Sequence, residues 1–381
     1  MPRRSHDFGR SHEPLSLRGP LDNRWSSDRE SGTSAIAKPH ENARIGSAWG
    51  RTVGDEVIVP AGSLLPGLAS GCVPRRRWVL DVYRGGVTKQ PIRYLSADED
   101  SARWLEFGFR NDDIVISTRS KSGTTWVQMI CALLILDTPD LPRPLAELSP
   151  WLDWLVLSKT DLFEDLEAQT HRRFIKTHTP LDGLPNDERV TFIVVARHPL
   201  DAAVSLYHQS HNINRQRIAE LTGNPELARP KKLPPLDEWL RSWIESDATA
   251  PDDLESFNGV FHHLTDAWSR KDEFNIVLVH FADLLHDLNR EMQRIAALLG
   301  IDVANERVDE LAHAATFKSM QANGDKLAPD PSAVLLDKGR FFRSGQSGAG
   351  TEGLSSAALA AYHSRASRTA PPDLLTWLHR G

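Results

Sequence analysis

The sequence predicts an α/β fold: a parallel sheet flanked by helices on both faces, in a single globular domain that follows a flexible N-terminal tail. Three observations carry this. From about Trp78 onward, short apolar runs alternate with segments of helical period, the pattern of βαβ units. The run Val190 to Ala196, Val-Thr-Phe-Ile-Val-Val-Ala, is apolar on both faces, as a strand is when helices cover both sides of its sheet. The first 75 residues, by contrast, show no sustained hydrophobic period.

Residues 1–75 are rich in Ser, Gly, Pro, Arg and Asp, and Arg24 to Asn42 is almost free of aliphatic side chains. Such a stretch buries too little apolar surface to offset its ordering entropy. It reads as a disordered extension, or as the product of an upstream start codon. Arg3 and Arg4 lead into His, Asp and Arg rather than an apolar core, which argues against a signal peptide. The acidic residues Asp7, Glu13, Asp22, Asp28 and Glu30 speak against a transit peptide.

Residues 76–381 are the expected domain. Ile114 to Ser117 is a first strand and Thr124 to Leu136 a helix. Arg173 to Thr177 is a second strand and Val190 to Ala196 a third. Pro199 suits the first turn of a helix over Leu200 to Asn212. Trp239 and Trp243, four apart, share a helix face on the core. Asn275 to His280 is a fourth strand, and Asn289 to Leu299 a helix stopped by Gly300. Asn214 to Pro235 is polar, proline-containing and without clear period, which predicts a mobile loop or lid over a site. There is no internal repeat and no coiled-coil heptad.

A length of 381 residues would suit two or three domains, but a large α/β domain runs past about 250 residues alone. Lys and Arg number 45 against 51 Asp and Glu, a net charge of −6, which argues against a nucleic-acid partner. A local basic pocket for a small phosphate ligand remains compatible with it. No stretch approaches the ~18 apolar residues of a membrane helix, so no transmembrane segment is expected. With only Cys72 and Cys131, the chain supports neither a disulfide framework nor a Cys-based zinc cluster, and it suits a reducing cytoplasm.

The strongest local signal is Ser120-Lys121-Ser122-Gly123-Thr124-Thr125-Trp126, between a strand and a helix. A helix start offers free N–H groups and the positive end of its dipole. Gly123 lets the backbone approach an anion, the hydroxyls add donors and Lys121 adds a full charge, which together make a phosphate cradle. The fold is therefore P-loop-like, but it departs from G-x-x-x-x-G-K-[ST]. The lysine precedes the glycine by two places, and the Val190 strand ends in Arg197-His198 rather than in a magnesium-binding Asp. That combination points to a nucleotide leaving group handled without metal.

Arg197 stands at the C-terminal end of the third strand, where open α/β sheets bind ligands, and Ser205 lies two helical turns on. Both can hold a second phosphate; the plainer alternative is that Arg197 pairs with Asp201. Lys176 and His178 alternate along a strand and so point to the same side. A His beside a Lys is disfavoured as a cation and poised as a neutral base, although a lone His is more often structural.

Taken together, these residues resemble the cytosolic-type sulfotransferases, with a style similar to actinobacterial members. The resemblance runs from about Trp78 to the C-terminus, with four segments in the family's order. Ser120 to Trp126 resembles the 5′-phosphosulfate loop, and Lys176-Thr177-His178-Thr179-Pro180 the Lys-x-His catalytic strand. Arg197 to Ser205 is similar to the 3′-phosphate segment, and Phe342-Arg343-Ser344-Gly345 to the C-terminal loop that closes over that phosphate. The resemblance implies transfer of a sulfuryl group from 3′-phosphoadenosine 5′-phosphosulfate (PAPS) to an acceptor hydroxyl, without metal. His178 would be the general base, Lys121 would stabilise the leaving group and Lys176 would assist. Ser122, Gly123, Thr124 and Thr125 would hold the 5′-phosphate and Trp126 the adenine. Arg197, Ser205, Arg343, Ser344 and Gly345 would face the 3′-phosphate, with Phe281, Thr316 and Phe317 on the adenine side.

This sequence departs from the family at several places. Ser344 stands where the family has Lys, and Gly348-Ala349-Gly350 where it has Gly-Asp-Trp. Phe281 replaces a tyrosine, and Ala315 a threonine before Thr316-Phe317. The dimer motif of animal members is not recognisable around Ser355 and Ser356, so no oligomeric state is implied. Trp151 and Trp154 fall where members line the acceptor pocket, which suggests an apolar small-molecule acceptor such as a phenol, sterol or lipid; both could equally be core. The alternatives are a P-loop nucleotide kinase, which predicts magnesium and ATP, and a catalytically degenerate nucleotide-binding protein.

Overall fold

Among the described residues, four strands, β1 (Ile114–Thr118), β2 (Phe174–Thr177), β3 (Thr191–Ala196) and β4 (Ile276–His280), form one parallel sheet in the order β2-β1-β3-β4. The computed structural model describes residues 90–230 and 232–380. The expected extension over residues 1–75, the Trp78 boundary and Cys72 lie outside the described residues.

Side-chain alternation decides what covers each face. Ile114 and Ile116, Ile193 and Val195, and Val277 and Val279 enter one core with helix α1 (Thr124–Leu136). Val115, Ile175, Phe192, Val194 and Ile276 enter a second core on the opposite face, with Trp104, Leu162 and Leu166. Both faces are therefore dry, which is why β1 is buried along its whole length. Helix α1 is central: ten of its thirteen residues are buried, so it carries no polar stripe. Helix α2 (Pro199–Ser210) follows β3, with proline in the first turn and the His198 imidazole accepting from Leu200 N–H as the cap. Helices α3 (Arg215–Thr222), α4 (Leu236–Glu245) and α5 (Phe257–Ser269) follow before β4. Helix α6 (Leu288–Leu298) ends at Gly300, whose φ of 64° suits the residue after a helix end. On α4, Trp243 is buried in the core and Trp239 packs against its edge.

The register fixes where chemistry can sit. Ile114 pairs with both Phe174 and Thr191, and Phe192 pairs with Ile276, so all four strands end at one edge. Lys121, His178, Arg197 and Phe281 each follow a strand end there. The opposite edge is locked by Arg173 and Asp113, both about 1% exposed, with Arg173 Nε donating to Asp113 Oδ1 at 2.9 Å. Such a buried bidentate pair is costly to break from one side, about 3–5 kcal/mol.

The expected loop over Asn214 to Pro235 is corrected. It contains α3 and a 3₁₀ turn, Pro225–Ala228, each begun by an Asn side chain that caps the next N–H groups. The helix was hidden because its buried side chains are only Ile218 and Ala219, too few to produce a readable period. Among the described residues no helix is long and apolar enough to cross a membrane.

Candidate active site

The strand ends open into a cavity of about 440 Å³. Its floor is the turn from β1 into α1. Lys121 adopts φ 65° and Gly123 φ 114°, both left-handed. The φ of Gly123 favours glycine, and a Cβ there would sit tightly, 3.1 Å from the Phe281 ring and 3.4 Å from Val195. The hydroxyls of Thr118 and Thr124 hydrogen-bond across the turn. Gly123, Thr124, Thr125 and Trp126 line the cavity.

Five basic side chains line it: Lys121, Lys176, Arg197, Arg215 and Arg343. Among the described residues none forms an ion pair with a carboxylate; the expected Arg197–Asp201 alternative does not occur. Asp201 instead accepts from Gly348 N–H at 2.9 Å and Gly350 N–H at 2.8 Å. Arg197 donates to the Lys121 carbonyl (3.3 Å) and the Gln346 carbonyl (2.6 Å) and stacks on Phe281 at 4.4 Å. Its Nε is buried without a partner. One arginine thus ties the first phosphate loop to the C-terminal loop. Lys121 Nζ lies 3.8 Å from the Phe341 ring centroid. Burial first, then the charges of Arg197, Lys176 and Arg343, bring Lys121 down to about 7.

The C-terminal loop closes the same end. Arg343, Ser344 and Gly345 line the cavity, as do Ser205, Phe281 and Phe317. Gly345 has φ 62°, and a Cβ there would come within 2.3 Å of the Phe317 ring. The Gly348-Ala349-Gly350 departure has its own packing: a Cβ on Gly350 would fall 2.5 Å from the Leu200 backbone, so α2 and this segment touch main chain to main chain. Two expected residues stand back from the cavity wall. Ser122 is buried with its N–H on the Arg119 carbonyl, and Thr316 caps the helix Phe317–Ala322 through Ser319 N–H.

At the other end, His178 and Lys176 face the cavity together. His178 Nδ1 sits 2.5 Å from the Thr118 carbonyl. A carbonyl only accepts, so Nδ1 carries the proton and Nε2 keeps its lone pair. Burial, then Lys176 and Arg119, hold the imidazole well below its usual value and therefore neutral. Its ring stands edge-on to Trp151, 4.5 Å between centroids, and Trp151 stacks on Trp154 at 4.9 Å. Lys176 Nζ lies 4.0 Å from the Trp151 ring centroid, and burial lowers it to about 8. The two tryptophans are both core and wall: Trp154 belongs to a cluster with Val156, Ile218 and Val334, and both rings line the cavity.

Sequence reasoning missed Glu99, Glu255, Gln209, Ile213, Val334, Leu335 and Phe341, all of which line the cavity. They come from separate loops with no shared spacing, so no local pattern could have gathered them.

Fold and site together define an α/β protein whose strand ends open into a cavity lined by basic side chains, with a neutral histidine and Lys176 at its second end. The family model for the sulfotransferase domain matches residues 111–365. The chain is 38% identical over 309 residues to a protein named glycolipid sulfotransferase from Mycobacterium bovis, covering 76% of this chain and 94% of that one. It is 28% identical to dog sulfotransferase 1B1 over 64% of this chain and 78% of that one. Among solved structures, mouse sulfotransferase SULT7A1 complexed with PAP superposes with a TM-score of 0.57 at 22% identity, over 73% of this chain and 91% of that one. Retinol dehydratase, solved with retinol and PAP, gives 0.55 at 20% identity, over 71% and 85%. The chain belongs to the sulfotransferase family.

Proposed function

We propose that this enzyme transfers a sulfuryl group from PAPS to the hydroxyl of a small amphiphilic acceptor. The observation that carries the reading is the set of five basic side chains lining the cavity, none ion-paired with a carboxylate among the described residues, beside a neutral histidine whose Nε2 keeps its lone pair. A nucleotide with phosphates at two positions would meet the basic side chains that line the cavity. The orphaned Arg197 Nε and the close-packed Gly123 and Gly345 are what such a ligand needs. PAPS supplies a sulfuryl group activated as a sulfate–phosphate anhydride.

The chain's residues divide the work. The Gly123 to Thr125 backbone and hydroxyls hold the 5′-phosphate, while Arg197, Ser205, Arg343 and Gly345 hold the 3′-phosphate. Trp126, Phe281 and Phe317 give the apolar wall for adenine. His178 Nε2 takes the proton of the acceptor hydroxyl as its oxygen bonds to sulfur. Lys121 places its charge on the oxygen that keeps the electron pair of the breaking S–O bond, and Lys176 adds a second charge. The acceptor end is walled by Trp151, Trp154, Ile213, Ile218, Leu227 and Val334, which suits an apolar portion. The curated relatives named glycolipid sulfotransferase support an acceptor of that kind.

The test is calorimetric titration with 3′,5′-adenosine bisphosphate in EDTA, alongside ATP, followed by acceptor screening with labelled PAPS. Tight metal-free binding of the bisphosphate and weak binding of ATP are expected. Binding of ATP only with magnesium would favour a kinase.

A further inference from the structure

The acceptor end of the cavity is not uniformly apolar. Glu99 and Glu255 line it beside Lys176 and His178. The Glu255 carboxylate is held in place: its Oε1 accepts from Arg119 Nη2 at 2.7 Å. The other arm of the same guanidinium donates to the His178 carbonyl. Arg119 is about 1% exposed, so this bridge is rigid. Glu255 Oε2 is buried and has no hydrogen-bond partner. A buried carboxylate oxygen without a donor is an unmet demand for one. Glu99 makes no side-chain hydrogen bond or ion pair among the described residues, and Lys176 Nζ, on a side chain 93% buried, meets only the Trp151 ring. Glu99, Lys176 and the Oε2 of Glu255 therefore line the same cavity as His178 with hydrogen-bonding capacity unused among the described residues.

The geometry points to Glu255, with Glu99, as the specificity-determining residues of the acceptor site. They accept hydrogen bonds from further hydroxyls on the acceptor, beside the one that is sulfated, and so select a polyhydroxyl head group over a monohydric alcohol. The inference rests on the sulfuryl-transfer reading for which hydroxyl reacts. The discrimination itself is a property of binding. Because Arg119 joins Glu255 to the main chain of His178, the second hydroxyl is read from a point fixed relative to the base. Burial, opposed by Arg119 and reinforced by Asp98, Asp153 and Glu255, raises Glu99 well above the usual range, which favours the protonated form that can donate to a hydroxyl. A neutral polyol suits that pair better than an ammonium group. The stacked Trp151–Trp154 floor offers the flat apolar surface on which a sugar ring's C–H face rests.

The experiment compares hexyl β-glucoside, 1-hexanol and hexylamine by calorimetry on the full chain saturated with 3′,5′-adenosine bisphosphate. Wild-type protein is expected to bind the glucoside at least about tenfold more tightly than hexanol, as a hydrogen bond to a charged group would give. Glu255→Gln, which still accepts from Arg119, is expected to lose most of that preference. Glu255→Ala tests the same point without the isostere, and bisphosphate binding by each variant reports that it is folded. Equal binding of glucoside and hexanol, tighter binding of hexylamine, or an unchanged preference in both variants would overturn the inference. Turnover of the same acceptors with PAPS is a separate readout: no product from any of them counts against sulfuryl transfer and leaves the binding comparison to decide the role of Glu255.

Discussion

Nucleotide binding should draw protons into the cavity. Burial, then the charges of Arg197, Lys176 and Arg343, holds Lys121 at about 7, and burial, opposed by nearby carboxylates, holds Lys176 at about 8. At pH 8 this leaves Lys121 about nine-tenths neutral and Lys176 about half neutral. Phosphate groups against them favour both charged forms, so binding at pH 8 takes up about 1.4 protons per site. The sign follows from the raised pKa in the complex: the contribution is present below pH 7 and lost as pH rises toward the complex's own value. Between pH 7.5 and 9, where the phosphates are fully ionised, Lys121 alone should weaken binding of 3′,5′-adenosine bisphosphate about twentyfold. Calorimetry at pH 8 in HEPES and in Tris, whose ionisation heats differ, measures the uptake directly. Lys121→Met should reduce it to the roughly 0.5 proton of Lys176. Identical heats in the two buffers, with an affinity flat across this range, would refute the assignment of these lysines to the phosphates.

Other outcomes follow from the same geometry. His178→Ala should lower turnover by about 10²- to 10⁴-fold while the bisphosphate still binds; retained turnover would exclude this base. Gly345→Ala forces a Cβ into the Phe317 ring at φ 62°, and its affinity for the bisphosphate, read by titration, should drop about tenfold or more. His263 and His280 are buried neutral, held down to about 3 and about 4. Their pKa values are lowered on folding, so stability is full above about pH 6.5 and is lost as pH falls. Each costs about 2 kcal/mol at pH 5, which urea titrations at pH 7 and 5 would detect.

Much of this was legible along the chain because β1, α1, β2, β3, α2 and β4 are apolar segments separated by turn and cap residues, and Lys121, His178 and Arg197 each sit just past a strand end. The phosphate loop could be read because its residues are contiguous. Helix α3 could not, since two buried side chains make no stripe. The Arg119–Glu255 pair joins positions 136 apart, and nothing in the spacing announces it. The departure at Gly348 to Gly350 answers to contacts distant in sequence: Asp201 accepts from the Gly348 and Gly350 N–H groups, and Leu200 lies against Gly350.

That last contact has a consequence for synthesis. Gly350 follows Asp201 by 149 positions, about 7–30 s of elongation at roughly 5–20 residues per second. All four strands are complete by His280, so the sheet can form on a nascent chain while the Asp201 carboxylate and the Gln346 contact of Arg197 still wait for their partners. A ribosome-stalled chain ending before residue 345 would display the first phosphate loop with its cations uncovered. The part of the cavity wall formed by Arg343, Ser344 and Gly345 is thereby added only to a chain made almost to its end.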